Sequence, residues 1–123
     1  MTQKFTVPGR LPGYNELHGN HWKTARIKKK AMQDVGWAAI SARIGLLPCP
    51  VVITIRCFEP NAKRDPDNVI SGAAKCVLDA LQNIRVLKND NRKCVTPHLP
   101  APEIDRDNPR VEVEFSAIRE VTT

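Results

Sequence analysis

The eight residues 51–58, "VVITIRCF", leave the backbone the least choice anywhere in the chain. The first five are β-branched, crowded in a helix but well suited to a pleated surface. Apolar side chains fall on both alternating sets, which predicts a central strand. Such a strand must be covered, and its neighbours in sequence supply the cover. Residues 23–45, "KTARIKKKAMQDVGWAAISARIG", repeat apolar residues at three and four: Ile27, Ala31, Val35, Ala38 and Ala42. Trp37, Ile40 and Ile44 are expected to broaden that buried stripe, with Gly45 as the C-terminal stop. A second helix is expected from Asn68 to about Asn83, burying Val69, Ala73, Val77, Ala80 or Leu81, and Ile84.

"KFTV" (4–7) and "RVEVEFSAI" (110–118) alternate as strands do. "IRVLKNDNRKCV" reads as a turn into a strand at best, and "TPHLPAPEIDRDNP" as a proline-broken loop. The order β-α-β-α-(β)-β, with no internal repeat, predicts an α+β fold. Two main helices pack on one mixed sheet in a single domain, residues 1–123.

Function classes narrow on three counts. No run of about 18 uncharged apolar residues exists, so no membrane span is expected. The N-terminus "MTQKFTVPGR" has no apolar signal core. Cys49, Cys57, Cys76 and Cys94 form no C-x-x-C pair. Together these predict reduced thiols in a cytoplasmic protein, a zinc site with His18, His21 or His98 being the lesser alternative. The net charge of +6 is unevenly spread. Residues 1–64 carry eleven Lys/Arg against three acids, and residues 65–123 carry eight against ten. A basic half suits a polyanion partner approached from one side. The fifteen-residue loop "PGRLPGYNELHGNHW" (8–22) carries Arg10, Tyr14, Asn15, His18, Asn20, His21 and Trp22, all able to contact phosphate or stack on a base. Lys23, Arg26, Lys28, Lys29 and Lys30 follow on the first turns of helix one, where cations oppose the helix dipole. Phosphate contact explains them better than stability does.

The acids gather in "KRDPDN" (63–68). Pro66 fixes its own φ and holds Asp65 extended, so two carboxylates stand close with little backbone freedom. Asp67 or Asn68 occupies the expected N-cap of helix two. Hard divalent cations take oxygen ligands and keep several waters, which one or a few carboxylates satisfy. The plain alternative is a capped polar turn. Asp90, in "KNDNR", is a third acid beyond a helix of about sixteen residues, roughly 24 Å long. It reaches the other two only if the chain doubles back. Lys75 and Asp79 lie four apart, the spacing of a helical ion pair.

"RDPDN", "KCVLDAL" and "VLKND", behind an N-terminal Pro-rich loop, resemble the RusA family of Holliday-junction resolvases, endodeoxyribonucleases of phages and prophages. The resemblance implies a RusA-like fold and a homodimer that binds four-way DNA junctions. It further implies cutting of symmetrically related strands with Mg²⁺ or Mn²⁺, in DNA recombination and repair. Asp65, Asp67 and Asp90 would be the metal-binding catalytic acids and Lys75 the catalytic lysine, with Asp79 in a supporting role. Two departures stand out. "VISGAA" sets Lys75 four residues further from the second aspartate than the commoner pattern, and Asn89 stands where an acid is usual. Arg10, Tyr14, Asn15, Lys23, Arg26, Lys29, Lys30, Lys63 and Arg64 are the expected DNA contacts.

A structural or interaction-only protein fits the composition but leaves the carboxylate placement unexplained, and two further readings compete. One is a non-catalytic, basic DNA-binding protein whose acids are turn caps. The other is a phosphohydrolase with an aspartyl nucleophile, which wants its first aspartate at a strand end. Here Pro60–Arg64 intervene.

Overall fold

A computed structural model of the chain describes residues 3–19, 21–87 and 93–117. Strand β1 (Gln3–Pro8) leads through a 3₁₀ turn (Tyr14–Leu17) into helix α1 (His21–Ser41). Strand β2 (Val51–Glu59), helix α2 (Pro66–Asn83), strands β3 (Val95–His98) and β4 (Glu103–Ile104), and strand β5 (Arg110–Ala117) follow. The sheet order is β1-β5-β2-β3, with β4 pairing further along β2. β1 with β5 and β5 with β2 are antiparallel, while β3 and β4 run parallel to β2. The expected α+β architecture and the central place of "VVITIRCF" both hold.

Strand alternation divides the sheet into two faces. Phe5, Val113 and Ile55 lie in one cross-strand row, and Val7, Val111 and Cys57 in the next. All six are buried in the same core as Ala31, Val35 and Ala39 of α1 and Val69, Ala73, Val77 and Leu81 of α2. Both helices therefore cover one face. The other face carries the rows Lys4, Glu114, Thr54 and Thr6, Glu112, Arg56.

Several sequence expectations need correction. α1 ends at Ser41, and Arg43, at φ 59°, takes the left-handed position expected of Gly45. Trp37 and Ile40 do not widen the buried stripe: they are 68% and 54% exposed, and Ala42 is exposed too. α1 instead turns its small residues inward, and a Cβ on Gly36 would already meet Ile84 at 3.5 Å. The two large apolar side chains are left on the rim of an open groove with Met32 and Ile84. α2 begins two residues early, with Asp65 as N-cap and Pro66 in its first turn, where a missing N–H costs nothing.

The stretch read as a proline-broken loop holds β4 and all of β3 but its first residue, Val95, two short pieces parallel to β2 and separated by Leu99–Pro102. The thiol expectation fails for two cysteines, since Cys49 and Cys94 form a disulfide. Parallel pairing of Val51 with Val95 sets the residues just before each strand side by side, and the Val51 N–H donates to the Cys94 carbonyl at 2.8 Å. Cys57 and Cys76 are free and buried, and burial pushes both thiols up to about 11. Among the described residues no helix is long and apolar enough to cross a membrane.

Candidate active site and nucleic-acid interface

The N-terminus of α2 organises the site. The Asp65 carboxylate accepts the N–H of Asn68 at 3.1 Å, capping the helix. Asp67 lies one residue beyond Pro66 in the first turn, exposed, where the helix dipole favours an anion. Among the described residues no cation forms an ion pair with either carboxylate.

The loop after β1 is fastened onto this helix start. Asn68 Oδ1 accepts the N–H of Asn15 at 2.7 Å. Glycine lies on both sides of the contact and is required at Gly72, which faces backbone. A Cβ on Gly13 would strike the Asn68 side chain, and one on Gly72 would strike the Pro12 carbonyl and the Gly13 backbone. Glu16 accepts from the Gly13 N–H at 3.1 Å and from Arg64 at 3.2 Å.

Arg64 is the hub of this fastening. Its guanidinium grips Glu59 with two hydrogen bonds, 2.8 and 2.9 Å, and donates to the Leu11 carbonyl at 3.0 Å. Arg10 donates to the same Glu59 at 3.1 Å. Glu59 is 5% exposed. Burial alone would push its carboxyl up, but the hydrogen bonds from Arg64 and Arg10 outweigh that and hold it below the usual range. Arg64 and Arg10, expected at the DNA surface, are thus committed to holding the loop against β2.

The remaining expected contacts stay on the surface. Arg26, Lys29 and Lys63 are exposed, as is Lys23, and Lys30 pairs with Asp34 at 2.8 Å. Tyr14 stacks on His18, ring centroids 4.0 Å apart, and Trp22 is 80% exposed. His21 and Trp22, read as loop, form the first turn of α1. A cavity of about 270 Å³ lined by Arg10, Glu16, Ile27, Lys30, Asp34 and Arg64 shows that the loop lies against the middle of α1.

Lys75 is not brought to the carboxylates. It follows Asp67 by eight residues in one continuous helix, about 12 Å along the axis. Its ammonium lies 3.3 Å from Asp79, whose same oxygen receives Lys28 at 2.9 Å. Asp79 thereby joins α2 to α1, a supporting role of the kind expected. Asp90 lies outside the described residues.

Asp65 and Asp67 suit a hard divalent cation in ligand type and exposure, although one Asp65 oxygen is engaged by the cap. Among the described residues no group of three or more metal-ligating side chains forms. Sequence reasoning passed over Glu16, Glu59 and the side-chain role of Asn68. Gly72 was the available signal, because a glycine inside a buried helical stripe marks a close backbone approach. Compared with models of known protein families the chain matches none, and no curated protein shows significant similarity to it.

Proposed function

We propose that the chain is a metal-dependent endodeoxyribonuclease of the RusA type, acting on branched DNA, four-way junctions above all, as a cytoplasmic homodimer in recombination or repair. One observation carries this reading. Two exposed aspartates flank Pro66 at a helix N-terminus, against a firmly held loop rich in base- and phosphate-binding groups. The sequence resemblance adds Asp90 and the junction substrate.

Asp65 and Asp67 would hold Mg²⁺ or Mn²⁺, with Asp90 completing the set. The bound ion would supply a water of lowered pKa and offset charge on the phosphoryl oxygens. The chain's own groups do the rest. Pro66 restricts the carboxylates, and the helix N-terminus favours phosphate beside them. Arg26, Lys29 and Lys63 hold the flanking backbone, so affinity falls with salt. Lys75, two turns along α2 and beside Asp79, would meet a phosphate next to the scissile one rather than the carboxylates themselves. A two-fold dimer would match the symmetry of the junction.

The rival, a non-catalytic DNA-binding protein, is favoured by the Asp65 cap at 3.1 Å, which gives that carboxylate a structural use. Asp67 separates the two readings because it caps nothing and pairs with no described cation. The test is incubation with a synthetic four-way junction, with and without Mg²⁺, for wild type and Asp67→Asn. Paired nicks that need both the metal and Asp67 are expected. Cutting that survives Asp67→Asn refutes the site, and tight binding without cutting establishes the rival.

A further inference from the structure

We propose that the exposed aromatics of the loop fastened to the start of α2 and of the helix that follows it, Tyr14 stacked on His18 and Trp22 in the first turn of α1, bind unpaired nucleobases. The inference rests on the nucleic-acid reading above and specifies which strand structure the protein takes hold of.

Single exposed aromatics are ordinary on protein surfaces. These are set apart by how they are held. Tyr14 opens the 3₁₀ turn and stays 45% exposed although one ring stacks on His18. The His18 ring is itself fixed, its Nδ1 lying 2.9 Å from the Tyr14 carbonyl oxygen. Each neighbour of Tyr14 is pinned. The Asn15 N–H is bonded to Asn68, and Gly13 packs on Asn68 with no room for a Cβ. Asn68 directly follows Asp67, so the loop segment that carries Tyr14 is fastened to the residue adjoining the carboxylates. Trp22 lies four residues beyond His18, in the first turn of α1, its ring edge-on to His21 at 6.1 Å.

Rigid aromatic rings that stay open to solvent lose little entropy when a base stacks on them, and every base has a face to offer. A paired base inside a duplex has both faces covered by its neighbours. Bases at a branch point or on a single strand do not. The surrounding cations Arg26 and Lys29 supply backbone attraction without base preference. The aromatics therefore select for unstacked over fully stacked DNA.

Oligothymidylate is the probe, with a blunt duplex as control. In a Trp37→Phe background Trp22 is the only tryptophan left to report. Oligothymidylate should quench its fluorescence, and the blunt duplex should not. Tyr14→Ala should weaken oligothymidylate binding about tenfold and leave duplex affinity unchanged, while Tyr14→Phe retains both. Should Tyr14→Ala fail to fold, Trp22→Ala, at a nearly fully exposed position, carries the same comparison. Equal losses on both DNAs, or no quenching by oligothymidylate, overturn the proposal. Selective quenching in a protein that cuts no junction would refute the nuclease reading and leave the base site standing.

Discussion

Replacing Arg64 by methionine tests whether the most prominent cation of "KRDPDN" serves the fold or the DNA. Methionine keeps the aliphatic bulk and removes the guanidinium. Lost with it are the two bonds to Glu59, the bond to the Leu11 carbonyl and the contact with Glu16. Breaking a buried ion pair from one side costs about 3–5 kcal/mol, because the other charge stays behind. Two facts reduce that here: the Arg64 side chain is 17% exposed, and Arg10 remains on Glu59 at 3.1 Å. A loss of about 2–4 kcal/mol is therefore expected. At about 4 °C per kcal/mol for a chain of this size, the midpoint should fall by about 8–16 °C.

The pH dependence has a definite sign. Glu59 is held below its ordinary pKa in the folded state, so its contribution is full above that ordinary value and fades as pH falls through the folded one. Methionine at 64 removes the larger part of that contribution. The gap between wild type and variant should be widest near neutrality and narrow below about pH 4. Urea unfolding followed by circular dichroism, repeated across pH, measures both quantities. A variant as stable as wild type within about 0.5 kcal/mol, yet much weaker on DNA, would refute the reasoning and return Arg64 to the DNA surface.

Gly72→Ala should destabilise by about 1–3 kcal/mol and raise protease sensitivity across residues 9–19, since the new methyl meets the Pro12 and Gly13 backbone and no flexible side chain; limited proteolysis with thermal melting checks it. The Cys49–Cys94 bond closes a loop of 45 residues in sequence separation, which in the chain-entropy account is worth up to about 4 kcal/mol. A Cys49→Ser, Cys94→Ser double variant should therefore unfold at clearly lower urea concentration, and equal midpoints would show that the cross-link constrains nothing.

The main helices and the central strand were legible in the sequence; the short strands β3 and β4 and the first turn of α1 were not. The β-branched run gave the central strand, and the three-and-four spacing located both helices within a few residues. Pro66 opens α2 two residues before the start that the periodicity marks at Asn68. The misreadings came from long-range placement. Trp37 and Ile40 satisfy the apolar periodicity of α1, but the face turned to the core is the one that carries Ala31, Val35, Gly36 and Ala39, and the two large side chains fall beside it. Cys49 and Cys94 sit 45 residues apart, and only the parallel register of β2 with β3 brings them together. Arg64 looked like a surface cation because its partner Glu59 ends a strand that periodicity marks as apolar. Lys75 shows the reverse case: helical geometry already implied two turns between it and Asp67, and the unbroken helix keeps that separation.

The prolines along the outer strand have a consequence for assembly. β3 and β4 are four and two residues long, with Pro97, Pro100 and Pro102 along that stretch. Proline offers no N–H, so this side of the sheet presents a gapped row of donors that an incoming strand cannot zip onto. Two copies are thereby steered away from continuing one another's sheet through β3.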